Sequence, residues 1–71
     1  MTPRDRELLT GMGNCYEACG ADFEGTVNMV AHARRRDPIE VRETLERLRR
    51  EFGTSTEYRT LRDRLPESFP I

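Results

Sequence analysis

Two turn signals in the middle of the chain constrain its fold more than any other feature. Gly20 and Asp22 mark the end of one helix and the start of the next, because glycine suits a left-handed C-cap and aspartate caps a helix N-terminus. Asp37 and Pro38 mark a second start, since proline is favoured at the first helical position. The apolar residues that follow recur along one helix face: Val41, Leu45, Leu48 and Phe52. The layout predicts a compact three-helix unit of the helix-turn-helix kind, a class that binds nucleic acid or protein and rarely performs catalysis.

The N-terminal segment carries a helix start and a weak middle. Thr2 before Pro3 supplies a hydroxyl cap followed by the residue favoured at the first helical position. Gly11 and Gly13 each lower helix stability by about 1 kcal/mol relative to alanine. We therefore expect one helix over residues 3–19, with two short helices as the alternative.

Three further helices are expected after the first one. The second is expected over residues 23–33 and the third over residues 38–52. The pattern Thr54-x-x-Glu57 is typical of a capping box, in which two side chains satisfy two free backbone N–H groups at a helix start. It predicts a short fourth helix that ends just before Pro66.

The last six residues differ from the helical part of the chain. We expect one small all-α domain over residues 1–65, a three-helix bundle with a short fourth helix, and an extended tail over residues 66–71. Phe69 and Ile71 are too apolar for a tail that is surrounded only by water. Either the tail folds back on the domain, or these two residues dock on a partner, and we name them as candidate docking residues.

The composition leaves room for only a small core. Of the 71 residues, 35% are apolar, and the mean hydropathy is -0.80. Folding of so small a domain can lean on a partner. No apolar run reaches the length of about 18 residues that a membrane helix needs, and the first residues lack the apolar stretch of a signal peptide. We therefore expect an intracellular protein in a reducing compartment, with no membrane contact.

Few side chains of this sequence could perform chemistry. Cys15 and Cys19 are expected to be reduced thiols on one helix face. Together with His32 they make three candidate soft ligands, one fewer than a closed zinc site needs. No serine or cysteine has a recognisable nucleophile context, and no phosphate-binding loop is present. The sequence predicts a protein that is not an enzyme and has no cofactor, no metal and no small-molecule substrate.

The charge is spread unevenly along the chain. The formal net charge is -1, and all twelve basic residues are arginine. Residues 1–33 carry two arginines against five acids, whereas residues 34–50 carry seven arginines against four acids. An acidic first part and a basic centre suit a subunit that touches unlike neighbours on two sides. A free-standing nucleic-acid binder is usually basic overall.

An arginine cluster, Arg34, Arg35 and Arg36, lies at the entry to the third predicted helix. Arginine binds phosphate and carboxylate through its planar fork, so the cluster is a candidate contact for nucleic-acid phosphates or for an acidic partner. Arg42 and Arg49, seven residues apart, are expected to extend this patch. The other alternative is a solvated turn whose charges are partly matched by the acids at the start of the third helix.

The pattern that begins at Gly20 resembles the Myb/SANT-like family. In that family the second helix begins after a glycine with an aromatic residue, here Phe23, and the third helix carries an apolar residue next to a basic one, here Val41 and Arg42. More narrowly, the spacing is similar to the C-terminal part of the nucleolar protein sixteen family, which is involved in large-subunit ribosome assembly. The resemblance covers roughly residues 16–52, and it implies a three-helix fold that reads DNA or binds protein.

Three functions remain open from the sequence. The leading hypothesis is a small interaction subunit of a larger assembly, with a ribonucleoprotein as the favoured setting. Its acidic first half and apolar tail would contact protein, and its arginine cluster would contact RNA phosphates or acids. The first alternative is a helix-turn-helix regulator that binds DNA through the third helix, although glutamates on the outer face of that helix would repel phosphates. The second alternative is a phage-type inhibitor that binds a host protein.

Overall fold

The computed structural model describes residues 1–71 as four α-helices and no strand. In chain order the helices are α1 (Pro3–Cys19), α2 (Phe23–Arg34), α3 (Pro38–Phe52) and α4 (Thr56–Arg62). The prediction of an all-α fold is therefore confirmed, and α1 is continuous through both of its glycines. None of the four helices combines the length and the apolar character that crossing a bilayer requires.

The helix boundaries follow from the caps read in the sequence, with one exception. The Thr2 side chain accepts a hydrogen bond from the backbone N–H of Asp5, while the Asp5 carboxylate accepts one from the backbone N–H of Thr2. The prediction for α4 was wrong in its start and its end. Ser55, not Thr54, caps this helix by accepting from the N–H of Tyr58, and the helix ends at Arg62.

The helices surround one core in which α1 and α3 are central. Each of these two contacts the other three helices, whereas α2 and α4 do not contact each other. A three-residue turn joins α1 to α2, and Arg34 near the end of α2 bonds Glu7 near the start of α1, so the two helices run antiparallel. The buried apolar residues come from every helix and from the C-terminal residues: Leu8, Leu9, Met12, Val27, Val30, Ala31, Val41, Leu45, Leu48, Tyr58, Leu65, Phe69 and Ile71.

The C-terminal residues fold back on the domain. Phe69 and Ile71 are each only 6% exposed and belong to the core. The Phe69 ring meets Tyr16 of α1 and Phe23 of α2 edge to face, with centroid separations of 5.3 and 5.5 Å. The structure therefore shows the tail folded back on the domain, one of the two alternatives left open by the sequence. In this arrangement both side chains pack in the core rather than extend toward a partner.

One arginine holds this tail in place. The guanidinium of Arg62, at the end of α4, donates to backbone carbonyl oxygens along the tail, including those of Pro66 and Phe69 at 3.0 Å each and that of Ile71. Charge-assisted hydrogen bonds of this kind are stronger than neutral ones. The carbonyl oxygens of Pro66 and Phe69 also accept from the backbone N–H groups of Phe69 and Ile71, so Arg62 reinforces a tail that already has hydrogen bonds of its own.

Candidate anion-binding groove

The three clustered arginines point in different directions. Arg34 crosses to α1, where it donates to the Glu7 carbonyl oxygen at 2.9 Å and lies 3.6 Å from the Glu7 carboxylate. Arg36 turns to α3, where it pairs with Glu40 at 2.9 Å, and its side chain is only 13% exposed. Arg35, in the left-handed region with φ of 54°, is exposed and has no ion pair or side-chain hydrogen bond. Two of the three arginines thus pair with glutamates, one at the start of α1 and one at the start of α3.

Arg42 and Arg49 do not join the other three. Arg42 pairs with Glu24 at the start of α2, and ten helical residues, about 15 Å, separate Glu24 from Arg34 at the other end. Arg49 donates to the carbonyl oxygen of Pro70 in the tail at 3.5 Å. The five arginines that the sequence nominated for binding therefore do not form one continuous surface.

Five of the twelve arginines connect separate elements through ion pairs. Ion pairs between elements link α1 to α4, α1 to α2, α2 to α3, α1 to α3, and the residues after α4 to α1: Arg6–Glu57, Arg34–Glu7, Arg42–Glu24, Arg47–Asp5 and Arg64–Glu17. The four-residue spacing of Glu43 with Arg47 and of Glu46 with Arg50 would favour two ion pairs on α3. Neither is formed: Arg47 binds Asp5 and Glu51 instead, and Arg50 makes no ion pair. Exposed pairs of this kind each contribute at most about 1 kcal/mol.

The two glycines of α1 provide room for two of these arginines. The Arg34 side chain passes over Gly11, where an added Cβ would stand 3.3 Å from the guanidinium. The Arg64 side chain passes over Gly13 in the same manner, with its Cβ 3.3 Å from the position of an added Cβ. The glycines that weaken α1 in the sequence thus allow arginines from distant elements to lie close against it.

Asp5 and Glu17 are the acids most affected by these contacts. Burial raises the pKa of Asp5, but its hydrogen bonds with Thr2 and the charge of Arg47 outweigh burial and hold that pKa below its ordinary value of 3.8. The hydrogen bonds that Arg64 donates to both carboxylate oxygens of Glu17, at 2.7 and 2.8 Å, lower the pKa of Glu17 as well. Both acids therefore stay charged in mildly acidic solution.

A surface groove lies where α1 begins and α2 ends. It has a volume of about 430 Å³ and is lined by five residues: Pro3, Arg4, Glu7, Arg34 and Arg36. We call it the basic groove. Arg4 makes no ion pair and no side-chain hydrogen bond, so its five N–H donors are free. The groove thus offers an anion one unengaged guanidinium beside two others that already bind carboxylates.

The sequence did not single out Arg4, although it nominated two of the three arginines that line this groove. Arg4 is thirty residues from Arg34 in the chain, and only the antiparallel arrangement of α1 and α2 brings them together. The distribution of charge along the sequence gave no indication of Arg4 either, because residues 1–33 are acidic overall. No local signal in the sequence could have marked this contact.

The outer face of α3 carries three exposed glutamates beside two arginines: Glu40, Glu43, Glu46, Arg47 and Arg50. Glu40 pairs with Arg36, whereas Glu43 and Glu46 form no ion pair. Ile39 at the start of this helix, 59% exposed, is the one large apolar residue on the surface. A helix that reads DNA places its outer face against phosphates and base edges, and the unpaired carboxylates would oppose that placement.

The remaining chemically interesting side chains lie apart from the basic groove. Cys15 is half-buried and Cys19 is exposed, and both are free thiols. His32 is exposed on α2 and forms no side-chain hydrogen bond.

A search of protein-family models, curated proteins and solved structures finds no match to the chain.

Proposed function

We propose that this protein is a small, non-catalytic interaction module of a larger assembly, and that it binds an acidic segment of a partner protein in the basic groove. The observation that carries the proposal is the convergence of Arg4, Arg34 and Arg36 on one groove, with Arg4 unpaired. Arginine guanidinium groups match carboxylates through two parallel hydrogen bonds.

The composition of the groove favours carboxylates over nucleic-acid phosphates. Glu7 lines the groove, and Glu40 stands at its edge on Arg36, so the guanidinium groups already coordinate carboxylates in this geometry. A nucleic-acid strand needs a track of positive charge along several phosphates. Here one groove with one free arginine stands on a chain of net charge -1.

The ribonucleoprotein setting and the SANT-like arrangement of α1, α2 and α3 belong to the same proposal and rest on the sequence resemblance. A SANT-like unit that binds protein rather than DNA fits the acidic outer face of α3. The carboxylates on this face would repel DNA phosphates, which disfavours the DNA-binding regulator considered from the sequence.

Capture of partners from the source lysate with two matched variants tests the proposal. Arg4→Gln removes the free charge of the groove, while Arg59→Gln removes an equally unpaired charge on α4 that does not line the groove. We expect a partner set that survives nuclease treatment, is lost from the Arg4→Gln protein and is retained by the Arg59→Gln protein. A set that disappears with nuclease, or that both variants retain equally, would contradict the proposal.

A further inference from the structure

A second surface site, of different chemistry, lies at the opposite end of α1. It is a pocket of about 490 Å³ between the α1–α2 turn and the folded-back tail, and we call it the aromatic pocket. Half of its lining residues are apolar, and three of them are aromatic: Tyr16, Phe23 and Phe69. The rings of Tyr16 and Phe23 each stand nearly perpendicular to the Phe69 ring, at 79° and 76°.

The pocket holds one carboxylate beside its aromatic rings. Asp22 lines it, and only one of its carboxylate oxygens is engaged, accepting from the N–H of Gly25 at 2.8 Å. The C-terminus of α1 and the N-terminus of α2 both lie here, so their opposite partial charges offset each other and the Asp22 carboxylate is the one formal charge of the lining. The nearby Arg62 donates to the carbonyl oxygens of Pro66 and Phe69 and is not among the lining residues.

We infer that the aromatic pocket binds the guanidinium group of an arginine side chain from a partner protein. A planar cation stacks favourably on aromatic rings, and Tyr16 and Phe23 are both partly exposed in the lining of the pocket. The free Asp22 oxygen can accept from an N–H donor, which a guanidinium supplies and a quaternary ammonium lacks. The long apolar stem of arginine suits the apolar part of the lining.

This site is independent of the basic groove. Their nearest lining residues on α1, Glu7 and Tyr16, are nine residues or about 14 Å apart along the helix. The groove would bind an acid at one end of the α1–α2 pair, and the pocket would bind a base at the other end. The module therefore has two recognition sites of opposite charge, so it can contact two neighbours in an assembly at the same time.

Titration of the isotope-labelled protein with N-acetylarginine amide tests the inference, because the ring protons of Tyr16 and Phe23 report contact directly by NMR. The neutral isostere N-acetylcitrulline amide is the ligand control, since it keeps the shape and three of the five N–H donors but lacks the charge. We expect saturable shifts of both rings with the arginine compound, and binding weaker by about fivefold or more with the citrulline compound. Equal binding of the two ligands, or shifts confined to other residues, would overturn the inference.

A matched pair of variants separates the pocket charge from helix stability. Asp22→Asn removes the carboxylate but keeps an N-cap residue on α2, and Asp37→Asn makes the same change at the N-cap of α3, away from the pocket. We expect binding of N-acetylarginine amide to weaken several-fold in the Asp22→Asn protein only. Unchanged affinity in that protein would overturn the assignment of the site. Failure of the groove experiment leaves this result unaffected, because neither variant alters a groove residue.

Discussion

The tail provides the sharpest test of the fold, through the substitution Phe69→Leu. The Phe69 ring is 6% exposed and makes edge-to-face contacts with Tyr16 and Phe23. Leucine keeps most of the apolar burial but loses both aromatic pairs, each of which contributes about 0.5–1.5 kcal/mol beyond burial. We therefore expect a loss of about 1–3 kcal/mol in the free energy of unfolding.

That loss is large for a domain of this size. At about 0.05–0.15 kcal/mol per residue, the 71 residues give a total stability of roughly 4–11 kcal/mol. Urea unfolding followed by circular dichroism measures the change. With a slope near 1 kcal/mol per molar urea, the midpoint should fall by about 1–3 M.

The control for this experiment is Ser68→Ala, the exposed neighbour, for which we expect a change within about 0.5 kcal/mol. A double-mutant cycle with Phe23→Leu should return a coupling of about 0.5–1.5 kcal/mol. If Phe69→Leu shifts the midpoint no more than the control does, the tail is not part of the core in solution. The docking role considered from the sequence would then return.

Three further predictions concern single positions. Asp5→Asn should make the free energy of unfolding fall less steeply as the pH is lowered. Folding lowers the pKa of Asp5, so the stabilisation by this carboxylate is present above about pH 4 and is lost as the pH falls through its folded-state pKa. Urea unfolding between about pH 7 and pH 2 measures the difference. Gly20→Ala should lower the free energy of unfolding and Arg35→Gly should raise it, each by about 1 kcal/mol. Both residues have a left-handed backbone, with φ of 62° and 54°, which glycine adopts more easily than a residue with a Cβ, and thermal unfolding measures both changes. Tyr58→Phe should raise the melting temperature, because the buried Tyr58 hydroxyl has no hydrogen-bond partner; a lower value would mean that the hydroxyl is satisfied in solution.

The helix boundaries could be predicted because their causes are local. Gly20 ends α1, Asp22 caps α2, and Asp37 caps α3, each within a few residues of the backbone groups it satisfies. The start of α4 was wrong because Thr54 and Ser55 are equally suitable caps by their local chemistry. The sequence pattern alone could not choose between them, and the structure has Ser55 as the cap, with Tyr58 buried in the core.

The sites could not be predicted because they depend on long-range contacts. The basic groove joins Arg4 to Arg34, and the aromatic pocket joins Tyr16 to Phe69. A run of arginines in the sequence indicates charge, but the distant acids that each arginine meets decide how much of that charge remains. Here Glu24 binds Arg42, and the expected patch is dispersed.

Binding of carboxylates in the basic groove can be measured by titrating the isotope-labelled protein. The ligands are hexaglutamate, its neutral counterpart hexaglutamine, and a hexauridylate RNA, each added to the wild-type protein and to the Arg4→Gln protein. We expect saturable NMR shifts at Arg4, Glu7 and Arg34 with hexaglutamate, which weaken in the variant and at high salt. Shifts that occur only with RNA, or hexaglutamate binding that does not involve Arg4, would contradict the proposal.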